Sequence, residues 1–82
     1  MRGFREKLQA LPEHIRRRAS ETYRLFSVNP GHPSLRFKRV HPTRAIYSVR
    51  ITVDYRALGV GDDDEVVWFW IGTHADYRNI VR

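Results

Sequence analysis

The chain has 82 residues, the length of one small domain, and carries a net charge of +6 from 15 Lys and Arg against nine Asp and Glu. We expect a single domain over residues 1–82, and the basic excess predicts an anionic partner, either nucleic acid or an acidic protein. The absence of Cys excludes disulfide frameworks, iron–sulfur clusters and thiol nucleophiles. The longest apolar run, Val66–Gly72, is far shorter than the ~20 residues of a membrane helix, so we expect a cytoplasmic protein without a membrane partner.

Two amphipathic helices are predicted in the first third of the chain. Phe4, Leu8 and Leu11 recur at i, i+4 and i+7, which places them on one face of a helix. Pro12 cannot continue that helix, but it suits the first turn of the next one. A second helix from residue 13 carries one apolar stripe and stops at a Pro- and Gly-rich loop over 29–33. Its stripe consists of Ile15, Ala19, Thr22, Tyr23 and Phe26.

Four strands are predicted in the remainder, over 35–40, 45–53, 55–60 and 65–71, with a short tail over 74–82 that has room for one helical turn. The fourth segment is apolar almost throughout, which is typical of a strand that is central or covered on both faces. In a regular strand Trp68 and Trp70 share one face and Phe69 takes the other. If Phe69 faces the helices, the two Trp side chains are partly exposed and mark a binding surface.

The element order α-α-β-β-β-β predicts an α+β fold, in which a helical hairpin packs on an antiparallel sheet of about four strands. The expected core joins helical side chains to side chains of the sheet. The helical members are Phe4, Leu8, Ile15, Tyr23 and Phe26, and the sheet members are Phe37, Val49, Ile51 and either Trp68 or Phe69.

Positive charge is concentrated in the first three strands. Residues 35–56 contain six basic residues and one acid, a balance of +5; the six are Arg36, Lys38, Arg39, Arg44, Arg50 and Arg56. Arg50 shares a side with Ser48 and Thr52, and if that side faces solvent it forms a basic platform for phosphate groups. The alternative is a solvated sheet face that only confers solubility. The acidic run Asp62–Glu65 is most simply a hairpin turn.

No cofactor or metal is expected. The acidic run lacks the spacing of a calcium loop, and the four His are scattered along the chain. The sequence has no Gly-rich phosphate loop and no serine in a nucleophile elbow.

Two segments, "YSVRI…DYRAL" and "WFWIGTHADY", resemble the RelE/ParE superfamily, the small basic toxins of bacterial type II toxin–antitoxin systems. The Leu-Pro between the helices, the Asn-Pro loop and the "LRFKRV" strand fit the same pattern. The resemblance covers nearly the whole chain and implies a twisted antiparallel sheet. It also implies a strand ahead of the first helix, which here is short or missing because only residues 1–3 precede that helix.

The resemblance implies a metal-independent endoribonuclease that cleaves mRNA, in some relatives on the ribosome, and that a cognate antitoxin neutralises by covering the basic face. Two alternatives stay open. One is a ParE-type toxin that acts on DNA gyrase, and the other is a degenerate member that only binds its antitoxin.

The resemblance also implies roles for particular residues. Arg50 matches a Lys or Arg of the ribonucleases, whereas Ser48 stands where many of them carry a further Lys. Arg56 matches an Arg that supports the scissile phosphate but also occurs in relatives without nuclease activity. His74 matches the C-terminal His of the YafQ-like subgroup, which acts as a general acid or base. Tyr77 lies near the position of a C-terminal aromatic residue.

RNA cleavage by internal transfer needs a base for the 2′-hydroxyl, an acid for the 5′-oxygen and cations for the phosphorane. Among these side chains only His has an unperturbed pKa, about 6.5, that suits either proton transfer at neutral pH. We therefore predict a catalytic set of His74, Arg50, Arg56 and Tyr77 around one pocket. The predicted RNA-binding set is Arg36, Lys38, Arg39, Arg44 and Trp70, and either Tyr77 or Trp70 stacks on an unpaired base. The alternative for His74 is a helix N-terminal residue that hydrogen-bonds the backbone.

Overall fold

The computed structural model describes residues 2–81 and contains three α-helices on a four-stranded antiparallel sheet. Its elements are α1 (Arg2–Gln9), α2 (Glu13–Val28), a 3-10 turn (Pro33–Leu35), β1 (Lys38–Arg39), β2 (Ile46–Arg50), β3 (Tyr55–Asp62), β4 (Glu65–Thr73) and α3 (His74–Ile80). The predicted α+β class, with a helix pair on an antiparallel sheet of four strands, is confirmed. Within the described residues the first element is α1. Met1 and Arg82, the outer limits of the predicted domain and tail, lie outside the described residues.

The strands lie in sequence order, β1-β2-β3-β4, and each pairs antiparallel with the next. A two-residue turn joins β3 to β4 within the predicted acidic turn, and Asp63 adopts a φ of 54° there, a left-handed conformation that Asp tolerates. β4 is a terminal strand of the described sheet, so of the two expected alternatives, central in the sheet or covered on both faces, the central position does not hold. α1 packs against β4.

The first two strands are shorter than predicted because their ends adopt local structure. Pro33–Leu35 forms a 3-10 turn and Arg36 takes a φ of 46°, so β1 starts only at Lys38. β2 ends at Arg50, since the backbone amide of Ile51 donates to the carbonyl oxygen of Tyr55 at 3.0 Å and closes a tight loop. Within that loop Thr52 Oγ1 accepts from the amide of Asp54 at 3.2 Å, a local bond typical of Thr that competes with strand pairing.

The main core lies between the helical hairpin and one face of the sheet. Its fully buried members are Leu35, Val49, Ile51, Ala57 and Ile71. Phe26 of α2 contacts this face edge-on, with ring centroids 4.8 Å from Phe37 and 5.3 Å from Trp68. Such aromatic pairs contribute roughly 1 kcal/mol beyond their buried area.

The prediction that Tyr23 belongs to this core is wrong. Its side chain is 61% exposed, whereas the neighbouring Thr22 is buried. Successive residues on a helix are about 100° apart, so burial of Thr22 in line with Ile15 turns Tyr23 to the edge of the apolar stripe.

A β-bulge separates the two Trp side chains. Trp70 pairs with Leu58, but Trp68 pairs with Gly59, so Phe69 is an extra residue in β4. Trp68 therefore packs on α2 while Trp70 faces away, and the prediction that the two share a face is wrong. Gly59 makes room for the bulge, since a Cβ there would lie 2.5 Å from Val66 and 2.7 Å from Trp68.

The sheet face that points away from the hairpin is called the distal face below. Strand alternation and the register place these residues on it: Ile46, Ser48 and Arg50 of β2; Arg56, Leu58, Val60 and Asp62 of β3; Glu65, Val67, Trp70 and Gly72 of β4. Leu58 and Tyr77 are buried but lie outside the main core. α3 thus packs on the distal side, next to the strand ends from which it emerges.

Candidate functional site

A row of guanidinium groups crosses the distal face at the end of the sheet near the β2–β3 loop. Arg50 and Arg56 are direct cross-strand partners, and Arg56 in turn pairs with Gly72. Arg36, which follows the 3-10 turn, lines the same groove as Arg50 and acts on the charge of Arg56, so it extends the row beyond β2. None of these three arginines forms an ion pair with a carboxylate of the described residues. The row is therefore a concentration of positive charge, with Asp54 near enough to affect the charge of Arg56 but not in ion-pair contact with it.

Within this row, Arg56 also forms hydrogen bonds that hold the β2–β3 loop. Its Nη1 donates to three backbone carbonyl oxygens, those of Thr52 at 2.6 Å, Tyr55 at 3.0 Å and Val53 at 3.4 Å. These bonds tie the guanidinium to the β2–β3 loop. The sequence pattern did not indicate this role.

The pKa of Arg56 is lowered by its burial and by the neighbouring cations. Burial and the nearby Arg50 and Arg36 guanidinium groups lower the pKa of Arg56, while Tyr77 and Asp54 act in the opposite direction. Arg36, Arg50 and Tyr77 are thus all close enough to Arg56 to affect its charge. The structure brings Tyr77 to the predicted cationic site.

His74 stands at the same end of the sheet, where β4 passes into α3. Its backbone amide donates to the carbonyl oxygen of Asp54 at 2.6 Å, and its ring stacks on Tyr77 with centroids 5.6 Å apart and planes 20° apart. The first of these contacts is the backbone role considered above as the alternative for His74. The imidazole itself is half-buried against Tyr77.

The predicted catalytic residues are gathered at one site. His74 lies two residues beyond Gly72, the partner of Arg56, so strand dimensions put its Cα about 9 Å from that of Arg56 and about 12 Å from that of Arg50. An extended arginine reaches about 7 Å, so its guanidinium can approach a ligand beside the imidazole.

Thr73 fixes the direction of α3. Its Oγ1 accepts from the amide of Asp76 at 3.2 Å, the N-cap bond that starts the helix. The sequence Thr73-His74-Ala75-Asp76 has the spacing of a helix-capping motif, and this signal could have predicted the two full turns of α3.

A groove of about 660 Å³ continues from the row toward α2. It lies between α2, the 3-10 turn and the β2–β3 loop, and its polar lining includes Arg18, Glu21, Arg36, Arg50 and Thr52. Two members of the cationic row thus face a cleft that is large enough for several groups of a ligand.

The predicted RNA-binding residues divide into two groups. Trp70 lies on the distal face beside the row, with its indole above Gly72, and Lys38 lies in the adjacent row of the sheet. Arg39 alternates to the other side, and its Nε donates to the carbonyl oxygen of Arg44 at 3.1 Å. Arg44 is in the β1–β2 turn, about 20 Å from Arg50 along the strand direction. The structure does not bring Arg39 and Arg44 to the row.

Ser48 is 2% exposed and cannot reach a ligand on the distal face. Over residues 2–81 no three His, Asp or Glu side chains are grouped as metal ligands would be. Across the same residues, no helix combines the length and the apolarity needed to cross a bilayer.

Comparison with known proteins identifies the fold and the family. The sequence of residues 13–79 matches the ParE-like toxin domain. A chain of the RelB-RelE antitoxin-toxin complex from Methanococcus jannaschii has the same fold, with a TM-score of 0.74, 17% sequence identity, and coverage of 94% of this chain and 91% of that one. No curated protein sequence matches the chain. The chain belongs to the ParE-like toxins of the RelE/ParE superfamily.

Proposed function

We propose that this toxin is a metal-independent mRNA endoribonuclease that inhibits translation and is neutralised by a cognate antitoxin. The observation that carries the proposal is the row of Arg36, Arg50 and Arg56 next to the stacked His74 and Tyr77. Guanidinium groups that form no ion pair within the described residues attract a phosphodiester, and an imidazole beside them can move a proton.

The reaction is an internal transfer. The 2′-oxygen of the ribose attacks phosphorus as its proton passes to a base, and the 5′-oxygen leaves as it takes a proton from an acid, which yields a 2′,3′-cyclic phosphate and a 5′-hydroxyl. We assign one of these proton transfers to His74 and the other to a water molecule, while Tyr77, whose side chain is buried, holds the imidazole by stacking on it. Arg50 and the free edge of the Arg56 guanidinium stabilise the negative charge that develops on the phosphorane.

Substrate binding uses the surroundings of this site. Arg36 and Lys38 contact the flanking phosphates, and Trp70 stacks on an unpaired base next to the row. Arg39 and Arg44 have no place in this arrangement because they lie off the row. Ser48 has none because it is buried.

Gyrase poisoning is the second candidate. Two observations favour it. Ser48, which stands where many of the ribonucleases carry a further Lys, is uncharged and buried. Nη1 of Arg56 is already bonded to three carbonyl oxygens of the β2–β3 loop. The match to ParE-like toxins adds to them. A degenerate member that only binds its antitoxin would have the same fold without either activity.

The antitoxin partner is supported by the fold match to a chain from an antitoxin-toxin complex. We propose that an acidic segment of the antitoxin lies over Arg36, Lys38 and Arg50. Since such contacts between exposed charges are screened by salt, the affinity should fall steeply between low and high ionic strength. A flat salt response contradicts this mode of neutralisation.

Induced expression in bacterial cells separates the two activities. For an mRNA endoribonuclease we expect protein synthesis to stop within minutes of induction, without an early SOS response. For a gyrase poison we expect the SOS response to be induced before protein synthesis stops, and the transcripts to stay intact. Growth without any arrest would point to the degenerate member.

A further inference from the structure

The groove between α2 and the β2–β3 loop carries charges of both signs. Arg36 and Arg50 line it, and neither forms an ion pair within the described residues. The wall formed by α2 contributes Arg18 and Glu21, whose side chains are both more than half exposed. A ligand with phosphate oxygens alone would be attracted by the arginines and repelled by the carboxylate. The presence of Glu21 therefore indicates a ligand that also has hydrogen-bond donors.

Between these charged groups the groove is apolar. Its apolar lining includes Leu25, Leu35, Ile51 and Val53. Leu35 and Ile51 are buried, whereas Val53 is 65% exposed. Aliphatic surface of this kind can contact one face of a planar ring, and a guanidinium plane can stack on the other face. The volume of about 660 Å³ lies within the range of small-ligand sites, so the groove has room for one nucleotide.

The pair of Arg18 and Glu21 has a defined hydrogen-bonding pattern. Nε of Arg18 and Oε2 of Glu21 are 3.7 Å apart, too far for a hydrogen bond, so both groups keep bonding capacity for a ligand. A guanidinium group only donates and an ionised carboxylate only accepts, so together they offer a donor beside two acceptors. The Watson–Crick edge of guanine is the complement, with the acceptor O6 beside the donors N1 and N2. No other RNA base has two adjacent donors on this edge.

We propose that the groove binds a guanosine of the RNA substrate, next to the phosphate that is cleaved. The inference rests on the proposed ribonuclease function and adds to it the base that the toxin reads. N1 and N2 of the guanine donate to the carboxylate of Glu21, and O6 accepts from Arg18. A phosphate of the same nucleotide lies against Arg36 and Arg50, which places the nucleotide beside the arginine row.

The same groups favour a nucleotide over an acidic polypeptide segment. Ionised Asp and Glu side chains have acceptors only, so they could bind the arginines but would be repelled by Glu21. A guanosine nucleotide carries its negative charge on the phosphate and its donors on the base. This separation matches the separation of the two unpaired arginines from the carboxylate on α2.

The test measures base preference with RNA that cannot be cleaved. Three labelled 2′-O-methyl hexanucleotides are bound to the full chain and compared by fluorescence anisotropy. They consist of adenosines except at the third position, which is guanosine, inosine or adenosine. Inosine differs from guanosine only in lacking the N2 amino group, so it removes one of the two donors to Glu21. The 2′-O-methyl groups block the internal attack, so binding is measured without turnover.

Glu21→Gln is the diagnostic variant, because it replaces one acceptor of the carboxylate with a donor. Glu13→Gln is the matched control. Glu13 is also an exposed acid of α2 that pairs with an arginine, Arg17 at 3.4 Å, but it does not line the groove. Both variants remove one negative charge, so a general gain in RNA affinity should be common to both. A base preference that only Glu21→Gln removes would report hydrogen bonding to the base.

We expect the natural chain to bind the guanosine hexamer about tenfold more tightly than the adenosine hexamer and about three- to fivefold more tightly than the inosine hexamer. Glu21→Gln should reduce both ratios to about one, and Glu13→Gln should preserve them. Both variants should fold normally, since each substituted side chain is exposed and exposed ion pairs contribute little to stability.

Equal affinity of the natural chain for the three hexamers overturns the proposal, as does an equal loss of base preference in Glu13→Gln. A chain that prefers the guanosine hexamer but produces no new transcript ends in cells would retain this inference and refute the nuclease. A chain that cleaves transcripts but binds the three hexamers equally would retain the nuclease and refute the assignment of the groove.

Discussion

Arg50 and Arg56 face each other across β2 and β3, with the charges of both side chains on the distal face and no carboxylate of the described residues paired with either. Directly opposed like charges cost roughly 0.2–1 kcal/mol in a sheet. The fold keeps this repulsion at the place where the imidazole of His74 also lies. We interpret it as a stability cost that an anionic ligand offsets.

Arg50→Gln should therefore stabilise the free protein. We expect its free energy of unfolding in urea to rise by about 0.5 kcal/mol at low salt, and the gain to shrink at high salt, where surface charges are screened. The lowered pKa of Arg56 should recover toward its ordinary value. Arg24→Gln, which removes an exposed charge from α2, is the matched control and should change stability little. A loss of stability in Arg50→Gln would show that the side chain is held by favourable contacts.

Arg56→Lys should destabilise the protein even though it preserves the charge. All three bonds to the carbonyl oxygens of Thr52, Val53 and Tyr55 leave one atom, Nη1, and the Lys side chain is one bond shorter, so its ammonium group cannot occupy the position of Nη1 in the same side-chain conformation. We expect a loss of about 2 kcal/mol in unfolding free energy, measured by urea denaturation. Arg36→Lys, at an exposed position of the same row, is the control and should stay within about 0.5 kcal/mol of the natural protein. Equal effects of the two would mean that the loop bonds of Arg56 contribute little.

Thr73→Ala should loosen α3 and leave the sheet intact. Loss of the N-cap bond to Asp76 costs about 1 kcal/mol, and Thr73→Ser should restore it. Hydrogen exchange is the measurement: the backbone amide of Val81, which bonds the carbonyl oxygen of Tyr77, should exchange faster, while that of Ala57 in β3 should not. Faster hydrogen exchange at backbone amides throughout the chain would show that α3 unfolds together with the rest of the protein.

Gly72→Ala should displace Trp70. The added Cβ would lie 2.6 Å from Cζ2 of the indole, so the ring must move from its place beside Arg56. We expect a shift in Trp fluorescence, weaker binding of single-stranded RNA and a loss of about 1–3 kcal/mol in stability. Gly3→Ala is the control because nothing lies within 4 Å of its added Cβ. Unchanged fluorescence would show that the indole tolerates the methyl group in place.

Much of the fold could be predicted because local signals coincide with the tertiary structure. Pro12 separates two apolar stripes, and the acidic run marks a hairpin whose turn is residues 63–64, with Asp62 and Glu65 at the ends of the strands, so the order of elements follows directly. The sequence could predict which side of its own strand each arginine is on, but not which arginines are opposite each other on neighbouring strands. Alternation grouped Arg50 with Ser48 and Thr52 without fixing which face of the sheet they occupy, and the pairing with Arg56 depends on the length of the β2–β3 loop.

Other features depend on contacts that a linear pattern does not contain. The bulge at Phe69 rotates Trp68 onto α2, and it exists because Gly59 leaves space for the indole. Arg36 enters a left-handed conformation after the 3-10 turn, which cuts β1 to two residues. The carbonyl bonds of Arg56 arise only when the loop is closed. Each of these requires the neighbouring segment to be in place.

Mapping transcript 5′ ends in cells that express the chain tests the proposed activity most directly, with His74→Ala as the comparison. Removal of a general acid or base lowers a rate about 10²–10⁴-fold, and the backbone bond from residue 74 to Asp54 is preserved in this variant. We predict new 5′ ends within coding sequences for the natural chain, and neither growth arrest nor new ends for a folded His74→Ala protein. Full toxicity and the same new ends with His74→Ala would contradict the account.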